Sequence, residues 1–233
     1  MFHTSQKLTA EFLGTFALVF FGEGAACAVQ YVHGALDVNL FVVALAHGLA
    51  IAVFFTAIGQ VSGGHFNPAI TMGCWATKRM NTIEAATYWV AQIAGAIAAA
   101  YLLRALLPEE AWRNVALGTP ELVRDFPKLA GMALEGVATF FLVFVFFAAT
   151  DEDRVSNRSA AGFAIGVAYV LGILVAMPFT TGALNPARAF GPWVATGAHL
   201  ANQGVYWVGP IAGGFLAGLL YDSLYLAKKV VPD

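Results

Sequence analysis

Asn67-Pro68-Ala69 recurs as Asn185-Pro186-Ala187, 118 residues further on, and the reading of this duplicated tripeptide decides the fold. A glycine-bearing lead-in precedes each copy, Ser62-Gly63-Gly64-His65-Phe66 and Thr180-Thr181-Gly182-Ala183-Leu184, and an apolar segment follows. Asn is a strong N-cap and Pro fits the first helical position, so each copy reads as a helix start. The segments behind them are short. An α-helix over 67–77 would run about 16 Å at about 1.5 Å per residue, roughly half of a ~30 Å hydrocarbon core. Two half-helices that begin near the bilayer midplane and face each other would aim two positive helix ends at one point, around a path for something uncharged.

Composition makes the bilayer the relevant solvent. The chain is 59% hydrophobic and 11% charged, with net charge −2 and a mean hydropathy of +0.72, which excludes an ordinary soluble domain. Its 233 residues suffice for six spans in a single domain, over about 8–32, 40–60, 84–107, 129–150, 159–179 and 203–227. The half-helices fall between the second and third and between the fifth and sixth spans. The connection 108–127 reads as a polar loop with at most a short interfacial helix, and the short N-terminal lead suggests a retained first span rather than a signal peptide. Cys27 and Cys74 lie in apolar segments as buried, inert thiols.

Internal repetition turns this list into an architecture. Tyr88-Trp89-Val90-Ala91-Gln92-Ile93-Ala94-Gly95 matches Tyr206-Trp207-Val208-Gly209-Pro210-Ile211-Ala212-Gly213, and Glu-x-x-x-Thr-Phe-x-Leu-Val-Phe opens both at Glu11 and at Glu135. The halves, about 1–107 and 128–233, each hold three spans. An odd number forces the second half to enter from the opposite side, so the expectation is an all-α membrane protein with six transmembrane helices and two re-entrant half-helices as an inverted repeat. Lys7, Lys78, Arg79, Arg154, Arg158, Lys228 and Lys229 then share one face, which the positive-inside rule makes cytoplasmic, along with both termini. Arg113 and Arg124, with Arg104 and Lys128 at span ends, leave that bias moderate.

The boxes imply a mechanism. An Asn N-cap spends its side-chain oxygen on its own helix and leaves its amide N–H₂ to point at the pore, so Asn67 and Asn185 would hold one water by both lone pairs and block proton relay. Backbone carbonyls of Gly63, Gly64, His65, Thr181, Gly182 and Ala183 would supply acceptors along the wall, with the His65 ring at the cytoplasmic vestibule. Duplicated Glu11 and Glu135 are read as structural acceptors for the re-entrant loop of their own half. Glu23 has no obvious partner and is expected in a solvated or surface hydrogen-bonded role, and 151–154 as a solvated turn. Trp75, Trp89 and Trp207 suit packing or interface roles. His3, His33 and His199 are too scattered for a metal site. With no nucleophile, metal cluster or phosphate loop, neither an enzyme, a cofactor, a metal nor a nucleic-acid partner is expected.

These motifs together resemble the aquaporin (major intrinsic protein) family over essentially the whole chain. The resemblance implies one pore per subunit, a homotetramer in the lipid bilayer, and passive passage of water and small neutral solutes. It implies an outer constriction at Arg188, with His47, Ile173 and Gly182 placed by their distances from the boxes. His47 and Ile173 stand where strict water channels of the family usually carry Phe and His, and Ile173 in place of a bulky ring, with Gly182 lacking a side chain, is expected to widen the filter. The set resembles the tonoplast intrinsic protein branch, which passes water and ammonia. A glycerol or metalloid facilitator is the rival within the family, although Ala189 stands where glycerol facilitators usually carry Asp. From another class, a proton-coupled secondary transporter would use Glu11, Glu23, His47 and Glu135 as a relay. The membrane is expected to be a prokaryotic cell (inner) membrane.

Overall fold

A computed structural model describes residues 2–33, 39–151 and 158–225. Its long helices are α1 (Thr4–His33), α2 (Leu40–Ser62), α4 (Thr82–Leu106), α6 (Lys128–Thr150), α7 (Arg158–Thr180) and α9 (Gln203–Tyr225), with the half-helices α3 (Pro68–Ala76) and α8 (Pro186–Thr196) between them. Six of these helices are long and apolar enough to cross a membrane. The termini follow local chemistry. Asn39 caps α2 by accepting from Val42 N at 3.2 Å, Asn81 caps α4 by accepting from Glu84 N at 2.9 Å, and left-handed Gly63 ends α2 with its N–H on Gly59 O. The first span begins at Thr4, four residues before the expected start, because polar Ser5 and Gln6 extend the helix beyond its apolar stretch.

The packing repeats as the sequence does. Helix α1 packs on α4 and α2, and α6 on α9 and α7, in the same relation. Each half-helix packs on the last span of the opposite half, α3 on α9 and α8 on α4, which interlocks the two halves. Helices α2 and α7, counterparts of each other, meet across the centre, where a Cβ on Gly48 would lie 2.4 Å from Gly166 O and one on Gly166 2.4 Å from Gly48 O. Equivalent contacts occur at the other crossings: a Cβ on Gly95 would lie 2.3 Å from Phe12 O, and one on Gly213 2.1 Å from Gly136 O. Small residues permit backbone-to-backbone approach where lipid gives no hydrophobic drive for helices to associate.

The connection between the halves has the irregular course and short helix expected of it but is more buried than its polar sequence suggests. It contains a short helix α5 (Glu109–Trp112) and a 3₁₀ turn (Ala116–Gly118), and Ala111, Leu117, Gly118 and Thr119 are buried. Leu117 belongs to an apolar cluster with Val19, Cys27 and Ala96, which pulls the segment into the bundle. Asp151 is buried rather than solvated. Arg154 and the rest of that expected turn, and Lys228 and Lys229 of the tail, lie outside the described residues.

Replacing Gly166 by Val drives a side chain into the Gly48 carbonyl, at a cost of about 1–3 kcal/mol for overpacking. We expect a lower unfolding temperature and less monodisperse protein in detergent, checked by size-exclusion chromatography and thermal melts, whereas Gly204→Ala, where a Cβ would meet nothing within 4 Å, leaves both unchanged.

Candidate functional site

The two boxes meet. Asn67 caps α3 by accepting from Ala69 N at 2.8 Å, and Asn185 caps α8 by accepting from Ala187 N at 3.0 Å and Arg188 N at 3.2 Å. Their amide nitrogens do not simply face a pore, as the isolated sequence suggests. Asn67 Nδ2 donates to Leu184 O and Asn185 Nδ2 to Phe66 O, each at 2.9 Å, so the boxes clasp each other through reciprocal bonds. An amide N–H₂ has two hydrogens, which leaves one on each Asn for another acceptor. The clasp depends on Phe66 and Leu184 adopting left-handed φ of 50° and 53°, which turns their carbonyls across the junction.

Two buried carboxyl groups hold those turns. Glu11 Oε1 accepts from Ser62 Oγ at 2.6 Å and His65 N at 3.0 Å, and its Oε2 from Phe66 N and Gln92 Nε2, each at 2.7 Å. Glu135 Oε1 accepts from Thr180 Oγ1 at 2.6 Å and Ala183 N at 2.9 Å, and its Oε2 from Leu184 N at 2.8 Å. Each carboxyl thus replaces water for two loop N–H groups that have no secondary-structure partner. On the acceptor side, Ala183 O takes the Tyr169 hydroxyl at 2.7 Å. The carbonyls of Gly63, Gly64, His65, Thr181 and Gly182 receive no protein donor among the described residues. Irregular backbone with open acceptors at this depth is tolerated only where it lines a polar cavity.

Arg188 sits at the third position of α8, one turn in from Asn185, and is fully buried. His47 on α2 is also fully buried. Its Nδ1 lies 2.8 Å from Val43 O, and since a carbonyl only accepts, Nδ1 carries the hydrogen and Nε2 faces Arg188 Nε at 3.4 Å. Tyr169 stacks on the His47 ring at 6.2 Å and reaches Ala183 O, so it ties His47 to the loop that carries Gly182. At Gly182, left-handed at φ 64°, a Cβ would stand 3.2 Å from Ile173 Cα, so Ile173 backs that loop directly.

Two members of this constellation were not legible as such. Glu23, expected near the surface, is fully buried against Arg188, with Oε1 2.9 Å from Nε and Oε2 accepting from Nη2 at 3.3 Å. Gly118, from the central connection, accepts Arg188 Nη1 at 3.1 Å through its carbonyl. The signal for Glu23 is general: a buried Arg at the positive end of a helix requires a counter-charge, and Glu23 is the acidic residue further along the same span as Glu11. Nothing in the local sequence around Gly118 carries such a signal.

Beyond the first loop, a cavity of about 270 Å³ is lined by His65, Cys74, Arg79, Lys7 and Tyr88, among others. His65 packs edge-on against Tyr88 and Phe146 and keeps its Nδ1 3.0 Å from Thr71 Oγ1. Cys27 and Cys74 are both buried and form no disulfide, but Cys74 stands in the wall of this cavity rather than wholly within packing. No group of three His, Cys, Asp or Glu side chains suited to a metal occurs among the described residues.

The family model for major intrinsic proteins matches residues 1–221. The chain belongs to the major intrinsic protein family. Aquaporin TIP2-3 of Zea mays is 39% identical over 223 residues, covering 94% of this chain and 87% of the relative. Aquaporin TIP2-1 of Arabidopsis thaliana is 38% identical over 224 residues, with the same coverage. Aquaporin-5 of Homo sapiens is 39% identical over 227 residues, covering 95% and 83%. Among solved structures, the aquaglyceroporin from Plasmodium falciparum superposes with a TM-score of 0.83 over 95% of this chain and 97% of its own, and at 22% identity the likeness is one of fold. The multi-pass membrane location agrees with this membership. Relatives from plants and a mammal give no support to the prokaryotic cell membrane expected from the sequence.

Replacing Glu135 by Ala orphans the N–H groups of Ala183 and Leu184, whereas the Thr180 hydroxyl keeps Ala176 O as an acceptor at 3.1 Å. At about 1–3 kcal/mol for each buried unsatisfied donor, we expect a destabilisation of roughly 2 kcal/mol or more. Thermal unfolding in detergent reads it, and retention of the wild-type melting temperature would contradict the role assigned to this carboxyl.

Proposed function

We propose that the chain is a passive channel for water that also conducts small neutral solutes, ammonia foremost, while excluding protons and ions. The observation that carries this reading is the junction of the boxes. Two helix N-termini meet at Asn67 and Asn185, each with one amide hydrogen to spare, between two runs of carbonyls without protein donors. Such a line offers acceptors, then two donors, then acceptors. A water that gives its lone pairs to the two Asn amides turns its hydrogens away from the junction in both directions, which breaks a proton wire. The positive ends of α3 and α8 add an electrostatic barrier to cations at the same point.

Selectivity among neutral solutes falls to Arg188, His47, Ile173 and Gly182. Arg188 and His47 form a polar wall, and Ile173 with Gly182 an apolar, side-chain-poor one. An opening of that kind admits molecules that donate and accept few hydrogen bonds, which suits ammonia beside water. The aquaporin names of the relatives support the water reading, and the tonoplast-like filter supports ammonia. In this reading the protein works as a homotetramer in the bilayer with both termini cytoplasmic, uses no cofactor and performs no catalysis. Relay through Glu11 and Glu135 is disfavoured because every oxygen of both is already held by fixed donors.

Stopped-flow measurements on proteoliposomes test the proposal by following osmotic shrinkage and internal alkalinisation by ammonia in one preparation. We expect both to run several-fold faster than in empty vesicles. His47→Phe should narrow the polar wall, slowing alkalinisation several-fold more than shrinkage. Ammonia entry no faster than in empty vesicles would reduce the function to a water channel, and uptake against a gradient driven by protons would replace it with a transporter.

A further inference from the structure

A guanidinium in a pore wall presents its charge to whatever passes unless an opposite charge holds it. Arg188 stands where the α8 dipole is already positive, so a lone cation there would be costly twice over, by burial and by position. Glu23 approaches from α1 along the edge of the guanidinium, with Oε1 2.9 Å from Nε and Oε2 3.3 Å from Nη2. Its seat is built by other segments. Gly118 is left-handed at φ 69°, and a Cβ there would lie 1.8 Å from Glu23 Oε2, so only glycine at 118 leaves the carboxylate its place. At Gly22, beside Glu23 in sequence, a Cβ would lie 2.4 Å from the His47 ring, so a second glycine brings His47 against the same helix. Glu23 Oε1 lies 3.6 Å from His47 Nε2 and has no hydrogen bond aimed at it, because the Arg188 Nε–H is directed at His47.

The geometry points to Glu23 as a specificity-determining residue of the constriction, which cancels the charge of Arg188 and fixes its guanidinium against α1. This rests on the channel reading. The ring then carries no net charge. Arg188 keeps the second N–H of Nη1 and of Nη2 for solutes, and exclusion of cations here depends on the balance of the pair rather than on arginine alone. Remove the arginine, and a buried carboxylate is left beside His47 as an attractor for cations and protons.

The test uses the full chain in proteoliposomes as wild type, Arg188→Ala, Glu23→Gln with Arg188→Ala, and Glu23→Asp with Arg188→Ala. Osmotic shrinkage is read beside proton leak, the latter with a trapped pH dye under a potassium diffusion potential. We expect Arg188→Ala to raise the leak roughly tenfold or more, as a focused single-sign site raises local ion concentration. Adding Glu23→Gln should return it to the wild-type level, and adding Glu23→Asp, which keeps the charge, should not. Absence of leak in Arg188→Ala, or equal leak with Gln and Asp, overturns the assignment. Where Arg188→Ala does not fold, its recovery by Gln but not by Asp reads the same charge coupling, and recovery by neither overturns it. Wild-type vesicles that shrink no faster than empty ones would defeat the channel reading itself. Fast shrinkage with a leak indifferent to residue 23 would defeat only the role of Glu23.

Discussion

Four backbone N–H groups, those of His65, Phe66, Ala183 and Leu184, end on the carboxyl groups of Glu11 and Glu135, and the half-helices stand where they do because of it. A chain that breaks its helix inside hydrocarbon loses several backbone bonds at once, and no water is at hand to replace them. One carboxyl, with two oxygens that each accept more than one bond, is an economical replacement. Once the loop is held this way, Phe66 and Leu184 can take the left-handed turn that sends their carbonyls to the opposite Asn. Of the carbonyls before them, Ala183 O takes the Tyr169 hydroxyl, and those of Gly63, Gly64, His65, Thr181 and Gly182 receive no protein donor among the described residues. The open carbonyls of the two loops are therefore what remains after their N–H groups have been satisfied, rather than a separate construction.

The rest of the bundle inverts the habits of a soluble protein. Leu49, Val53, Val90, Leu129, Phe141, Phe163 and Leu171 are exposed on its outside, while Glu11, Glu23, His47, Asn67, Glu135, Asn185 and Arg188 are buried within. A lipid-facing exterior places no penalty on exposed apolar side chains, so the hydrophobic effect does little to bring the helices together. Close contact falls to glycine carbonyls and Cβ-less crossings, as at Gly48 and Gly166, and specificity to the buried polar network.

The sequence was most legible where one residue type has one plausible job in a membrane. Asn-Pro starts a helix, a 20-residue apolar run spans, and a duplicated Glu before each broken segment holds that segment. These rules placed α3, α8 and the two carboxyls. It was least legible where partners are distant along the chain. Glu23 is 165 positions from Arg188 and Gly118 is 70 from it, and no local pattern announces either contact. The polar look of 108–127 hid Leu117, whose burial anchors Gly118 beside the arginine. The Asn amides were half legible: their caps follow from propensity, but their second bond depends on two left-handed residues that are not glycine.

Function is written where the two halves differ. Aligning Glu11 with Glu135 puts Phe147 opposite Glu23, and the 118-residue offset of the boxes puts Ile70 opposite Arg188, Ile165 opposite His47 and Phe55 opposite Ile173. Glu23, His47 and Arg188 thus each align with an apolar residue in the other half. The glycines of the loops behave likewise. A Cβ on Gly64 would meet the Phe55 ring at 2.6 Å, whereas one on Gly182 would first meet backbone atoms of Ile173 and Met177, each at 3.2 Å. An aromatic ring packs over Gly64 in the first loop, whereas Gly182 in the second is backed by the backbone of α7. Symmetry satisfies the backbone of both re-entrant loops at once, and the side chains that break it, Glu23, His47 and Arg188, gather in one buried polar cluster.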